Sequence, residues 1–301
     1  MRLTVVLLNW RDPQPTLRCA AAIAGWRALS PALAVVDNGS TEASHAALAA
    51  AVPPASVIPS LVNLGFAGGN NLGIRRALDE GAEAILLLNT DAEITESAVA
   101  ALFGRLEADP TIAVIGPAIL EQGAAGERRL IGGRDIAVHA DTRIVAPAGD
   151  LARLPGYPVR DADYVPGTAL LARASAFRDV GLLDETYFFS GEIADFCRRV
   201  RNSGRRVCVD LSVTARHDTA QTASRLRQTL YVYYSLRNRF LYVRKHHARD
   251  RRRLIARWVR QGLTESLRAL RARNLGTARA NLLALIDGLA GRYGDGNAHF
   301  L

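Results

Sequence analysis

The chain predicts an α/β fold: a mostly parallel, Rossmann-like sheet flanked by helices, with a helical, basic C-terminal extension. Three observations carry this. Largely apolar runs recur at residues 3 to 8, 32 to 36, 85 to 88 and 112 to 115. They lack the alternation of a half-exposed strand, as expected for strands buried on both faces. Segments of helical character stand between them, which is the order of a doubly wound sheet. The runs also end abruptly in small polar residues, and open α/β sheets bind ligands just beyond the carboxyl ends of their strands.

The elements follow in order. Residues 3 to 8 form a first strand that ends at Asn9. Asp12-Pro13 supplies a cap and a proline suited to a first helical turn, opening a helix to about Trp26. Ala32 to Val36 is a second strand, running into Asp37-Asn38-Gly39-Ser40, and an alanine-rich helix follows. Val57-Ile58 is a weak third strand, leading through Asn63 to Asn71 into a helix that ends near Leu78. The central strand, Ile85 to Leu88, ends in Asn89-Thr90-Asp91-Ala92-Glu93. A helix from Thr95 to Glu107 and a strand from Ile112 to Ile115 complete a first half, residues 1 to 116.

Residues 117 to 163 are rich in Gly, Pro and Asp and poor in periodicity, so they read as a looped insertion with a hairpin. Order returns with a strand at Val165 to Ala172, a short helix to Val180, a loop from Asp184 to Glu192 and a helix over 193 to 203. Short strands at Val207 to Leu211 and Val213 to Ala215 deliver Arg216-His217-Asp218 and close a first domain at residue 220, with 117 to 220 as its second half. Helical pattern runs from about Thr222 to Arg292, and the tail from Gly294 to Leu301 reads as frayed.

Composition is that of an ordinary globular protein, 49% hydrophobic and 22% charged. No window approaches the roughly 18 consecutive apolar residues of a membrane span. The N-terminal apolar run lacks a small-residue cleavage site and reads as a strand, not a secretory signal. Cys19, Cys197 and Cys208 are scattered and without metal-type spacing, which fits a reducing compartment and a cytoplasmic location. The net charge of +9 is uneven: residues 225 to 273 hold fifteen Lys or Arg against Asp250 and Glu265, so the rest sums to −4. A basic C-terminal segment on a mildly acidic body suggests an anionic partner. The run Arg249 to Arg260, with Leu254, Ile255, Trp258 and Val259 interleaved, suggests an amphipathic helix against either an anionic membrane or the protein body. Nucleic acid is an unlikely partner, since no recognition motif accompanies the charge.

The strand tips carry the chemistry. Asp91 and Glu93 can share a hard cation such as Mg2+ or Mn2+ whose other positions go to phosphate oxygens, although Asp91 also suits a helix cap. Asp37 is placed either to accept from a ribose or base or to form an Asx-type turn. The glycines from Gly65 to Gly69 are not spaced as a dinucleotide fingerprint. They allow close backbone approach to a ligand, with Asn70 and Asn71 adding amides.

These motifs together resemble the family-2 glycosyltransferases, especially the bacterial branch similar to rhamnosyl- and galactofuranosyltransferases. The likeness rests on Leu8-Asn9-Trp10, Val36 to Ser40, Asn63 to Asn71, Leu88 to Glu93, Pro166 to Leu171, Val180 to Glu185, Gly191-Glu192 with Asp195-Phe196-Cys197, and Arg216-His217. Motifs in that order over residues 3 to 245 are specific where any one would be weak. The resemblance implies a GT-A fold and a nucleotide-diphosphate sugar donor, dTDP- or UDP-linked. It places Asp37, Asn38 and Asn9 at the nucleotide, with Asn63, Gly65, Asn70 and Asn89 lining the donor pocket. It makes Asp91, Glu93 and His217 metal ligands for Mg2+ or Mn2+, and sets Arg237 toward a diphosphate. The implied reaction is inverting transfer of a sugar, rhamnose or another hexose or deoxyhexose, to a cell-surface glycan or polyprenyl-diphosphate-linked acceptor. That chemistry belongs at the inner face of the cytoplasmic membrane, with the protein peripheral to it.

Inversion requires a general base opposite the leaving group. The family places it in a pair of adjacent acids followed two residues later by Asp. Here the segment reads Glu192-Ile193-Ala194-Asp195, so Ile193 stands where the second acid is usual. Glu192 is then the expected base with Asp195 in support. The alternative is a catalytically weakened relative that binds sugar nucleotide or glycan.

Overall fold

The computed structural model describes residues 2–301 except 54–55, 124–125, 147–150, 155–156 and 219–224. Its centre is an 11-stranded mixed sheet. Strand β1 (Leu3–Asn9) lies parallel between β2 (Ala32–Asn38) and β4 (Ala84–Leu88), and β3 (Val57–Ser60) extends the parallel half beyond β2. Strand β10 (Ala169–Arg173) runs antiparallel between β4 and β6 (Ile112–Gly123). Strand β11 (Arg206–His217) is parallel to β6 and antiparallel to the two-residue β5 (Ala92–Glu93).

The apolar runs are continuous because both faces of the sheet are covered. Alternate residues point to opposite faces. Val5, Leu7, Leu86 and Leu88 pack against Ile23 of α1 (Gln14–Ala24), Leu48 of α2 (Glu42–Ala51), and Val99 and Leu102 of α4 (Glu96–Ala108). Val6, Val36, Ile85 and Leu87 meet Ile74 of α3 (Gly65–Asp79), Phe177 of α5 (Ala174–Val180) and Phe196 of α6 (Glu192–Asn202). Each such buried side chain contributes about 1.5–3 kcal/mol. Thr41 and Thr95 cap α2 and α4 by accepting from the backbone N–H three residues on. Helix α3 approaches β1 so closely that a β-carbon at Gly73 would fall 2.4 Å from Val6 Cγ1.

The region expected to be looped is more ordered than its composition suggests. β6 runs on through Pro117 to Gly123 and turns back as β7 (Gly126–Gly133), the expected hairpin. Strand β8 (Arg143–Val145) pairs with β7, and β9 (Val159–Asp161) pairs with β11. The two short strands expected at 207 to 215 are one, β11, whose register shifts between Asp210 and Thr214 beside Pro117. Proline has no N–H for the ladder, and a local irregularity accommodates it.

The C-terminal helices α7 (Arg225–His246), α8 (Arg251–Arg271) and α9 (Leu275–Ala290) build a third core on the body. Tyr233, Phe240, Trp258 and Leu285 pack there with Tyr187, Phe188 and Ala194. The expected helix start at Thr222 and domain end at residue 220 fall outside the described residues. Of the apolar side chains interleaved in the run from Arg249 to Arg260, Leu254 and Trp258 are buried in this core, with Ile255 and Val259 packed against it, so this stripe meets the protein body. Trp258 Nε1 donates to Ala137 O at 2.8 Å. The tail is not frayed: Arg237 Nη1 donates to Gly294 O at 2.8 Å and Tyr234 OH to Asn297 Oδ1 at 3.0 Å.

Asp195 ties α7 to α6. It is 0% exposed, with Arg199 Nε at 2.8 Å, His246 Nε2 at 2.8 Å and Lys245 Nζ at 2.5 Å. Burial alone would raise its carboxyl, but His246, Lys245 and Arg199 hold it far below the ordinary carboxylate range.

Two stability outcomes follow. Helix propensity alone would make Gly73→Ala stabilising by about 1 kcal/mol. The overlap with Val6 outweighs that, at about 1–3 kcal/mol for an overpacked site, so the melting temperature should fall. Asp195→Ala takes the shared carboxylate from Arg199 and His246 and leaves Lys245 only Asp184, so it should cost about 3 kcal/mol in denaturant unfolding, where an exposed acid such as Glu107 costs little.

Candidate active site

A cavity of about 1100 Å³ opens beyond the carboxyl ends of the parallel strands. Asn38, Asn63, Gly65, Asn70, Asn89 and Asp91 line it from the first half of the chain. Glu121, Glu192, Ile193 and His217 line it from the second. Eight of the expected donor, metal and catalytic residues therefore share one cavity.

The tip after β4 is held from both sides. Asn89 N donates to Thr168 O at 2.9 Å, and Asp218 N donates to Asp91 O at 3.0 Å. The second bond draws the end of β11 onto the tip, so His217 Nε2 lies 3.3 Å from Asp91 Oδ1. That nitrogen is buried and makes no aligned hydrogen bond. On the other side of the ring, His217 Nδ1 lies 3.1 Å from Glu121 Oε1, its neighbour in the β6–β11 register. Arg128 Nη2 donates to Glu121 Oε2 at 2.8 Å. Burial pushes the His217 pKa down, but Asp91 and Glu121 more than reverse this and lift it to about 9. Burial likewise raises Glu121, while His217, Arg128 and Arg143 bring it below the ordinary value. Arg227 Nη2 stands 3.5 Å from Asp91 Oδ2.

No group of three or more His, Cys, Asp or Glu side chains placed to hold a metal occurs among the described residues. Two facing donors nevertheless fit a divalent cation. Ligands at about 2.1 Å and at right angles around an octahedral ion stand about 3 Å apart, close to the observed separation. An imidazole with a carboxylate on its far nitrogen is the usual supported metal ligand. Glu93 is not part of this pair. It is exposed on β5 opposite Arg216 and absent from the cavity wall, because period-two alternation turns it outward. Glu121 is the acid that meets His217, and only the strand register, not spacing in the chain, reveals it.

Glu192 begins α6. Gly191 before it has φ 105°, a conformation that favours glycine. The Glu192 side chain is 5% exposed and its Oε2 is buried without a partner. Burial, with a smaller contribution from Asp195, pushes its pKa up to about 7. Such a carboxyl accepts and releases protons near neutrality. Ile193 also lines the cavity and packs on Gly167, where a β-carbon would fall 3.2 Å from Ile193 Cγ1. Asp195 does not reach the wall and braces the fold instead.

At the other end, Asn38 Nδ2 donates to Asn63 Oδ1 at 2.9 Å and Gly65 O at 3.0 Å, joining β2 to the start of α3. Asn70 Nδ2 donates to Phe66 O at 2.9 Å. Asn9 and Asp37 lie beneath this wall, not on it. Asn9 Nδ2 donates to Asp37 Oδ1 at 3.2 Å and Ser40 Oγ at 3.0 Å, and His45 Nδ1 is 2.9 Å from Asp37 Oδ2. Both therefore fix the ends of β1 and β2. Arg237 also departs from expectation: it is 1% exposed, donates to Tyr187 O at 3.2 Å, and stacks 4.6 Å from the Tyr234 ring. Its neighbour Asn238 does line the cavity and donates to the carbonyls of Tyr187, Phe189 and Ser190. An aromatic wall of Phe188, Phe189, Tyr231 and Tyr234 stands beside Glu192, with Phe188 and Tyr234 stacked at 5.5 Å.

The chain is similar to known proteins. The family model described as glycosyl transferase family 2 matches residues 9–165, half of the chain. The low-salt glycan biosynthesis hexosyltransferase Agl10 of Haloferax volcanii is 28% identical over 247 residues, 79% of this chain and 74% of that protein. The mannosyltransferase PcManGT from Pyrobaculum calidifontis, in complex with GDP-Man and Mn2+, superposes with a TM-score of 0.59 at 12% identity, over 97% of this chain and 88% of that one. GalNAc-T7 with UDP, GalNAc and Mn2+ gives 0.56 at 15% identity, over 72% of this chain but 43% of that one. The sheet flanked by helices is thus a GT-A fold, and the chain is a glycosyltransferase belonging to family 2.

Proposed function

We propose that the chain transfers a hexose or deoxyhexose, rhamnose among them, from a dTDP- or UDP-linked donor to a cell-surface glycan or polyprenyl-diphosphate-linked acceptor, with inversion at the anomeric carbon. One observation carries the reading: the Asp91–His217 pair and Glu192, whose buried Oε2 has no partner, line the same cavity. The naming of Agl10 as a hexosyltransferase of glycan biosynthesis, and the GDP-Man and Mn2+ in PcManGT, support it from outside.

The donor's nucleotide lies along the wall of Asn38, Asn63, Gly65 and Asn70, with its diphosphate toward Asp91. Asp91 and His217 Nε2 would hold a divalent ion, Mg2+ or Mn2+, which when bound would supply charge neutralisation for the departing diphosphate. Glu121 holds the His217 ring so that Nε2 faces Asp91, and Arg227 adds positive charge at the same end. Glu192 takes the proton of the acceptor hydroxyl as its oxygen bonds to the anomeric carbon and the bond to the diphosphate breaks. Its burial suits this task, since a carboxylate with pKa near 7 is a stronger base than an exposed one. The aromatic wall beside it limits water, which would otherwise hydrolyse the donor. Ile193 favours a second reading, a non-catalytic binder, because an apolar side chain occupies the usual place of an acid.

Glu192→Gln separates the two. Removal of a general base should lower kcat by about 10²–10⁴-fold with little change in donor affinity. A binder would show negligible transfer before and after. The base must be ionised, so wild-type kcat should fall about tenfold per unit as pH drops below about 7. A raised carboxyl pKa costs no stability below about 4.5 and its full cost above about 7. The Gln variant should therefore melt higher than wild type at pH 8 and alike at pH 4. For the metal, UDP should raise the melting temperature further when Mn2+ is present. His217→Ala should abolish that increment, and Glu121→Gln should weaken apparent metal affinity about 10–100-fold.

A further inference from the structure

We propose that the α8–α9 hairpin docks in the plane of an anionic membrane surface through a leucine face that the amphipathic reading of residues 249 to 260 does not contain. That inward stripe, Leu254 and Trp258, is closed off in the third core. A different set remains uncovered: Leu263, Leu267, Leu270, Leu275, Leu282, Ile286 and Leu289 are each 42–69% exposed. They make up seven of the fifteen large apolar side chains exposed among the described residues. Such concentration on one element marks an interaction site, where scattered single residues would not.

The two helices present these residues together. Residues 272 to 274 connect them, and Gly262 of α8 sits so close to Leu285 of α9 that a β-carbon would fall 2.8 Å from Leu285 Cδ2. They are therefore an antiparallel pair. At 100° per residue, Leu263 and Leu270 fall on the part of the exposed arc of α8 nearest α9. Leu282 and Leu289 fall on the corresponding edge of α9, so the two rows adjoin. Arg253, Arg257, Arg260, Arg268 and Arg271 follow on the far side of α8, all exposed.

The charges choose the occupant. Residues 249 to 279 carry ten exposed arginines against two acids, Asp250 and Glu265. A second copy of the chain would bring two such basic fields together, which disfavours self-association. An anionic bilayer offers the opposite charge and an apolar layer of matching depth, with arginine stems reaching from the leucine face up to the headgroups. No helix among the described residues is long and apolar enough to cross a membrane, so contact is in plane.

Co-sedimentation of the full chain with vesicles tests this. Vesicles of phosphatidylcholine with phosphatidylglycerol should bind the protein, and phosphatidylcholine alone should bind it much more weakly. Replacing Arg253, Arg257 and Arg260 by Gln should weaken binding by roughly fivefold per residue, on the order of a hundredfold together. The triple variant Leu263→Asn, Leu267→Asn, Ile286→Asn should bind at least about tenfold more weakly with an unchanged melting temperature. The proposal is overturned if anionic vesicles fail to bind at low salt, or if the leucine variant binds as wild type does. It is equally overturned if light scattering finds a dimer that this variant dissociates.

Discussion

The register of β11 is the constraint on which the site depends. One strand lies parallel to β6 and antiparallel to β5, and its last residue must satisfy both ladders. That places His217 beside Glu121 on one side and near Asp91 on the other. A slip of one residue would turn the imidazole to the opposite face of the sheet and bring Arg216 in its place. The bond from Asp218 N to Asp91 O pins the register at the site itself. The irregularity between Asp210 and Thr214 lets the strand reach that position past Pro117.

The opposing half of the cavity is held by a different device. Asp195, buried among Lys245, His246 and Arg199, fastens the start of α6 to α7. Arg237 and Asn238 hold the Tyr187 to Ser190 loop by its carbonyls. Glu192 sits between these braces with one oxygen unpartnered. An unpaired buried carboxyl opposes folding, and the surrounding ion pairs offset it. The two acids of α6 thus have opposite environments: one ringed by cations and held ionised, the other enclosed and near neutrality. Different environments for neighbouring carboxyls are how one fold assigns them different roles.

Much of this is legible in the sequence where the signal is local. The all-buried β4 and its polar tip follow from an apolar run ending in Asn89-Thr90-Asp91, whereas the glycines expected to admit a ligand include Gly69, where a β-carbon would fall 2.4 Å from Leu8 Cδ1 of β1. What is not legible depends on which segments meet. Glu93 is nearer to Asp91 in the chain, but Glu121 is nearer in space to His217, because strand pairing and alternation decide the matter. Arg237 and Asp37 have side chains suited to a ligand, and their protein partners come from segments up to 57 residues away. The region from 117 to 163 hides long strands behind Gly and Pro. On α8 both apolar stripes are visible on a helical wheel, and only the packing of α9 and α7 decides which is buried.

The central claim is that Asp91 and His217 grip one divalent ion at the donor diphosphate while Glu192 faces the anomeric carbon. The most direct measurement is anomalous diffraction at the manganese edge from crystals grown with UDP and Mn2+. A single peak is expected at about 2.0–2.3 Å from both an Asp91 carboxylate oxygen and His217 Nε2, with the diphosphate completing the shell and the Glu192 carboxyl across the cavity. A peak at Glu93, or nucleotide bound in the cavity with no metal between those two side chains, would contradict it.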